Sequence, residues 1–144
     1  MLYILDKRVK RDNKTYCTVY DTDDNTIESL NYIEVRKFLN DCGADVKFRL
    51  LENYDIKKYA GVVLMYPKEA TASASVILRN YKSGDSTVLN TSLCGKASYM
   101  ISKDGEHIVI EIECSVAGVG LKSRKTVTFS KSLELLHESN WKRG

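Results

Sequence analysis

The sequence predicts an α+β domain, a mainly antiparallel sheet with one helix in the N-terminal half and a short C-terminal helix. Three observations predict it. Val35, Phe38, Leu39 and Cys42 form one apolar stripe at helical spacing; several short runs alternate apolar with polar residues; and turn clusters recur through the second half. A chain of 144 residues has the commonest size of a single domain, so residues 1–144 read as one domain able to bury its own core.

Leu2 to Leu5 reads as a short strand, and the polar, basic stretch Lys7 to Lys14 as a turn. Tyr16, Thr18 and Tyr20 alternate with Cys17 and Val19, the period of a strand with two faces. Asp21 to Asn25 supplies residues that tolerate tight-turn dihedrals, and Thr26-Ile27-Glu28 resumes a strand to complete a hairpin.

Asn31 stands three residues before Glu34, the spacing of a capping box, and opens a helix over Tyr32 to Asp41 that Gly43 ends in a left-handed conformation. Val35, Phe38 and Leu39 are expected to pack this helix on a sheet containing Val46, Phe48 and the Val62–Leu64 strand. Val46, Phe48 and Leu50 alternate with Lys47 and Arg49 as a half-buried strand. Leu51 to Tyr59 fits neither period cleanly. Gly61 to Tyr66 is a continuous apolar run ended by the only proline, Pro67, which predicts a central strand covered on both faces.

Ala72, Ala74, Val76 and Leu78 share one parity and mark a strand; lacking lysine and proline, it is expected at a sheet edge, where it would pair with a second copy to make a homodimer. Ser83-Gly84-Asp85-Ser86 and Lys103-Asp104-Gly105-Glu106 are turns of an antiparallel meander joining the runs at Val88, Tyr99–Ile101 and Ile108–Ile112. Ala117-Gly118-Val119-Gly120 permits a bend before the strand Lys125–Phe129. Ser132 caps the expected terminal helix, with Leu133, Leu136 and Trp141 on one side.

Composition narrows the function classes. Hydrophobic residues at 43% and charged residues at 28% are ordinary globular usage, which excludes wholesale disorder and fibrous repeats. No window approaches the ~18 apolar residues that cross a bilayer, and the N-terminal apolar run is too short for a signal peptide, so neither membrane nor export is expected. Cys17, Cys42, Cys94 and Cys114 lie singly in apolar or strand-like stretches, the pattern of buried thiols in a reducing compartment, read as cytoplasm.

Asp21, Asp23 and Asn25 stand at alternate positions like the first ligands of a calcium loop. Thr26 occupies the position that needs glycine, and Tyr32 the one that needs the bidentate glutamate. The two histidines, His107 and His137, and the scattered cysteines give no zinc spacing, so neither metal nor cofactor is expected. His107 reads as a surface residue after a turn and His137 as a surface residue of the terminal helix. Gly118-Val119-Gly120-Leu121-Lys122 lacks the spacing of a phosphate-binding loop.

Two basic clusters carry the candidate binding residues: Lys7, Arg8, Lys10, Arg11 and Lys14, then Lys122, Arg124, Lys125 and Lys131. Together they would form a cationic patch for phosphates, a nucleotide or an acidic protein surface, although a net charge of +3 is modest for a nucleic-acid module. Nine tyrosines, with Tyr54, Tyr59, Tyr66 and Tyr81 close to basic residues, suit a recognition surface.

The segment Tyr20-Asp21-Thr22-Asp23-Asp24-Asn25-Thr26-Ile27-Glu28-Ser29-Leu30, leading into a helix in a Lys, Asn, Tyr and Asp-rich chain, resembles small accessory proteins of phages and mobile elements of low-GC bacteria. The resemblance covers roughly the first third of the chain and implies roles such as blocking a host defence enzyme or sequestering a signalling nucleotide. The leading expectation is a non-enzymatic binding protein for a protein partner or small anionic ligand. Nucleic-acid binding through the basic clusters comes second. An enzyme built from distant strands, using Cys94 or Cys114 with a histidine, comes third.

Overall fold

Alternation prevails over helical periodicity along most of the chain: the computed structural model holds one α-helix and three sheets among the described residues. Those residues are 1–42, 46–59, 61–67, 69–70, 75–90, 95–115 and 122–143, with the side chains of 6–11, 69–70, 90, 95–97, 115 and 143 outside the description. The expected Gly43 cap, Cys94 and the Ala117–Gly120 bend lie outside it. The chain divides into two compact units, Met1–Asp55 and Ile56–Gly144.

In the first unit β1 (Leu2–Arg11), β2 (Lys14–Asp21) and β3 (Thr26–Asn31) form an antiparallel meander. Helix α1 (Tyr32–Asp41) then carries the chain back so that β4 (Phe48–Glu52) joins β1 in parallel, giving the order β3-β2-β1-β4. The expected Lys7–Lys14 turn is corrected. β1 continues to Arg11 and only Asp12 and Asn13 turn, both at positive φ (49° and 64°), the signature of a tight primed hairpin that Asp and Asn tolerate. The Asp21–Asn25 hairpin forms as expected. Asp23 N donates to Asp21 Oδ1 (3.0 Å), and the Tyr20 hydroxyl donates to Asn25 Oδ1 (3.0 Å).

Asn31 caps α1, its side-chain oxygen accepting from Ile33 N at 3.0 Å and Glu34 N at 3.4 Å. Val35 is buried with Ile4, Cys17 and Val19, and Leu39 packs at the margin. Phe38 does not join them, for its side chain is 51% exposed; Phe48 is 44% exposed, and the Val62–Leu64 strand belongs to the second unit rather than to the sheet under α1.

The second unit is built of two sheets. β5 (Tyr54–Tyr59), which spans the boundary, β6 (Val62–Pro67), β8 (Ser75–Asn80) and β9 (Ser86–Asn90) form one, in the order β5-β6-β8-β9. The other orders β13 (Leu135–Glu138), β12 (Lys122–Phe129), β11 (His107–Ser115), β10 (Gly95–Asp104) and β7 (Glu69–Ala70), with β14 (Lys142–Arg143) also on β12. Val62, Leu64, Val76 and Leu78 of the first sheet share one core with Ile108, Ile110, Ile112, Val127 and Phe129 of the second, the packing of a β-sandwich. β6 is buried on both faces, as its unbroken apolar run requires. The Ser83–Ser86 turn joins β8 to β9 and the Lys103–Glu106 turn joins β10 to β11 as expected, but β9 and β10 belong to different sheets, so the Val88 run does not continue the meander of Tyr99–Ile101 and Ile108–Ile112.

Two expectations are overturned here. β8 lies between β6 and β9, so the described part of the Ala72–Leu78 run is interior and is no edge for a second copy. The short C-terminal helix is absent and the chain is mostly β, not α+β with two helices. Leu133 takes φ 64°, outside the helical region, and Ser130 closes a turn by accepting from Glu134 N at its hydroxyl (3.1 Å). β13 then pairs with β12, and Ser139 N donates to Thr126 O at 2.9 Å. Only Leu133 and Trp141 reach the core; Leu135 and Leu136 are each more than half exposed, so a strand that satisfies the β12 backbone prevails over an amphipathic helix. His137 therefore sits on an exposed strand. No helix among the described residues is long and apolar enough to cross a membrane.

A candidate binding groove on the first unit

Four strands at ~4.8 Å spacing present a face some 15–20 Å wide, and one helix about 10 Å across covers roughly half of it. The face under α1 carries Leu2 and Ile4 from β1, Val19 and Asp21 from β2, and Thr26, Glu28 and Leu30 from β3, matched in rows by the register Leu2–Asp21–Thr26 and Ile4–Val19–Glu28. α1 closes over Ile4, Cys17 and Val19 through Val35, and the remainder stays open as a groove of ≈ 380 Å³.

The groove has an apolar floor and an acidic rim. Phe38 on the helix side and Leu30 on the strand side, 51% and 38% exposed, form its two walls. Asp21 and Asp24 stand at the hairpin end, Glu28 on β3 and Glu34 in the first turn of α1, and no lysine, arginine or histidine is among the described residues that line the groove. Four carboxylates over a low-dielectric floor concentrate negative potential there, attracting cations and repelling phosphates.

The expected basic site fares differently. Lys7, Arg8, Lys10 and Arg11 lie on β1 with side chains outside the described residues. Lys122 and Arg124, neighbours on one face of β12, both close on Glu113 of β11, Lys122 Nζ at 3.2 Å from Oε1 and Arg124 Nε at 3.1 Å from Oε2. The hydrogen bond from Lys122, with the charges of Lys122 and Arg124, holds the Glu113 carboxyl below the usual range. Lys125, on the other face, pairs with Glu138 and lies 5.5 Å from the centre of the Trp141 ring. Lys131 pairs with Glu106 at 2.6 Å, and that hydrogen bond likewise lowers the Glu106 carboxyl. Each cation of the second cluster thus meets a carboxylate, and the cluster presents mixed charge rather than a cationic face.

Tyr66, expected on a recognition surface, is instead core, while Lys58 Nζ lies 4.6 Å from the centre of the Tyr81 ring. Cys17, Cys42 and Cys114 carry thiols, and those of Cys17 and Cys114 are buried. Cys114 and His107 stand seven residues apart on β11, roughly 23 Å along an extended strand, and His137 lies opposite Thr128, itself opposite Val109, so neither histidine reaches Cys114. No protein-family model, curated protein or solved structure matches this chain.

The groove escaped sequence reasoning because its parts carried other duties. Asp21 read as a turn residue, Glu34 as a cap, and Phe38 as core. The available signal was the alternation Thr26, Glu28, Leu30 continuing the apolar row of β2 beyond what one ten-residue helix covers.

Proposed function

We propose that this chain is a non-enzymatic binding protein that holds a protein partner in the acid-rimmed groove of its first unit. The carrying observation is the groove of ≈ 380 Å³ beside α1, walled by exposed Phe38 and Leu30. An aromatic and an aliphatic anchor facing each other over a concave surface make the kind of pocket in which interface energy concentrates. A small anionic ligand is disfavoured there by the rim, and at β12 by the carboxylates already engaging its cations. Occupying a partner fits the blocking role that the resemblance to phage accessory proteins implies. The thiols support a cytoplasmic location.

Capture from a lysate of the source cell tests the reading. Wild type and a Met100→Asp variant, altered on the exposed face of β10 in the second unit, should retain the same protein, and Phe38→Asp should lose it. Retention of that protein by Phe38→Asp, or no capture by wild type, overturns the groove as the binding site.

A further inference from the structure

The form and charge of the groove specify what fills it. We infer that its occupant is an amphipathic helix of the partner with lysine or arginine along its polar flanks, an inference that rests on the binding role proposed above. The sheet face leaves roughly 5–10 Å beside α1, room for the apolar stripe of one helix whose polar side stays outside the groove. Two helices side by side on one face of a four-stranded sheet complete the two-layer packing that a single short helix leaves unfinished. A strand added to the edge of β3 would instead pair with backbone and leave half-buried Leu2 and exposed Leu30 and Phe38 uncovered.

Charge selects the polar flanks. Asp21, Asp24, Glu28 and Glu34 come from β2, the β2–β3 turn, β3 and α1 and line the groove rather than clustering at one point. A helix lying along the floor would therefore meet carboxylates on both sides, from β3 and the hairpin on one and from α1 on the other. Basic residues at i and i+3 or i+4 keep their ammonium or guanidinium groups at such a rim while their apolar stems line the wall. Acidic flanks would face four like charges. Phe38 and Leu30 supply the anchors that the apolar stripe of the incoming helix fits between.

The probes are two fluorescein-labelled model peptides about four helical turns long, one amphipathic Leu/Lys and one amphipathic Leu/Glu, titrated with the full chain by anisotropy and circular dichroism. The Leu/Lys peptide should bind and gain helix, with the Leu/Glu peptide at least about tenfold weaker, a gap that narrows in high salt. Glu28→Lys with Glu34→Lys, which offsets the charge left on Asp21 and Asp24, should abolish the preference. The pair Glu28→Gln and Glu34→Gln, which keeps shape and leaves those two carboxylates, should narrow the preference without abolishing it. Equal binding of both peptides by wild type, a preference unmoved by the two lysines, or binding without helix gain overturns the inference. If Phe38→Asp abolishes partner capture while the peptides show no charge preference, the binding role stands and the basic helix falls. If capture ignores Phe38, both fall.

Discussion

Tyr66 and Tyr99 meet across the two sheets of the second unit, ring centroids 4.9 Å apart and planes tilted by 45°. Tyr66 comes from β6 and Tyr99 from β10, so the pair joins the two sheets within the core they share. Lys57 on β5 reinforces it: its ammonium donates to the Tyr99 carbonyl at 2.7 Å and lies 5.5 Å from the centre of the Tyr66 ring. Truncating either tyrosine to alanine should cost about 3–5 kcal/mol, and the double variant should reveal a coupling of about 0.5–1.5 kcal/mol. Denaturant melts of the four proteins give both numbers; strictly additive losses would show that the rings touch without coupling.

Val35 and Phe38 lie one turn apart on α1 with opposite fates, the first buried and the second 51% exposed. Val35→Ala should destabilise by about 1–3 kcal/mol, since it removes buried methyls from the Ile4–Val19 cluster. Phe38→Ala should change stability by no more than about 0.5 kcal/mol while weakening capture of the partner. A loss with Phe38→Ala as large as that with Val35→Ala would mean that the groove is closed in solution.

The elements legible in the sequence are those whose local chemistry and tertiary surroundings agree. Asn31 and Glu34 announce α1, the apolar run before Pro67 announces β6, and Asp104-Gly105 announces the β10–β11 hairpin. What misled was chemistry that serves two periods. Leu133-Glu134-Leu135-Leu136 fits a helical stripe, yet the bare edge of β12 draws it into a strand whose leucines at 135 and 136 remain exposed. Lys7 to Arg11 reads as a polar turn because charge masks a strand whose pairing is visible only in the register Val9–Tyr16 and Arg11–Lys14. The pairing of the second basic cluster was hidden for a different reason. Glu113, Glu138 and Glu106 reach Lys122, Arg124, Lys125 and Lys131 through cross-strand or long-range contacts that linear spacing does not encode.

The turn between β1 and β2 offers a stabilising change. Asn13 sits at φ 64°, a left-handed conformation that costs asparagine less than most residues but glycine least of all. Asn13→Gly creates the Asp-Gly pair favoured in two-residue hairpins and should raise stability by about 0.5 kcal/mol, the relief of strain outweighing the added freedom of the unfolded chain. Thermal melts should show a small upward shift. A downward shift would mean that the Asn13 side chain contributes more than its backbone conformation costs.

Glu113 should impose a specific pH dependence. Its folded carboxyl titrates below the usual value because Lys122 donates to it and the Lys122 and Arg124 charges favour its ionised form. For a carboxyl lowered in the folded state, the stabilisation is fully present above the unfolded value of about 4.3 and is lost as pH falls through the folded value. Glu113→Gln removes that contribution, so wild type should melt above the variant at neutral pH, and the two curves should converge as the medium is acidified through and below the ordinary carboxylate range. Both cations are more than half exposed, so molar salt should shrink the neutral-pH gap as well. A gap that persists at low pH would assign the effect of the substitution to packing. The same variant leaves Lys122 and Arg124 without their counter-charge, and its affinity for a single-stranded DNA probe at low salt should exceed that of wild type. Equal, tight binding by both proteins would show that the cations of β12 already hold nucleic acid with Glu113 in place.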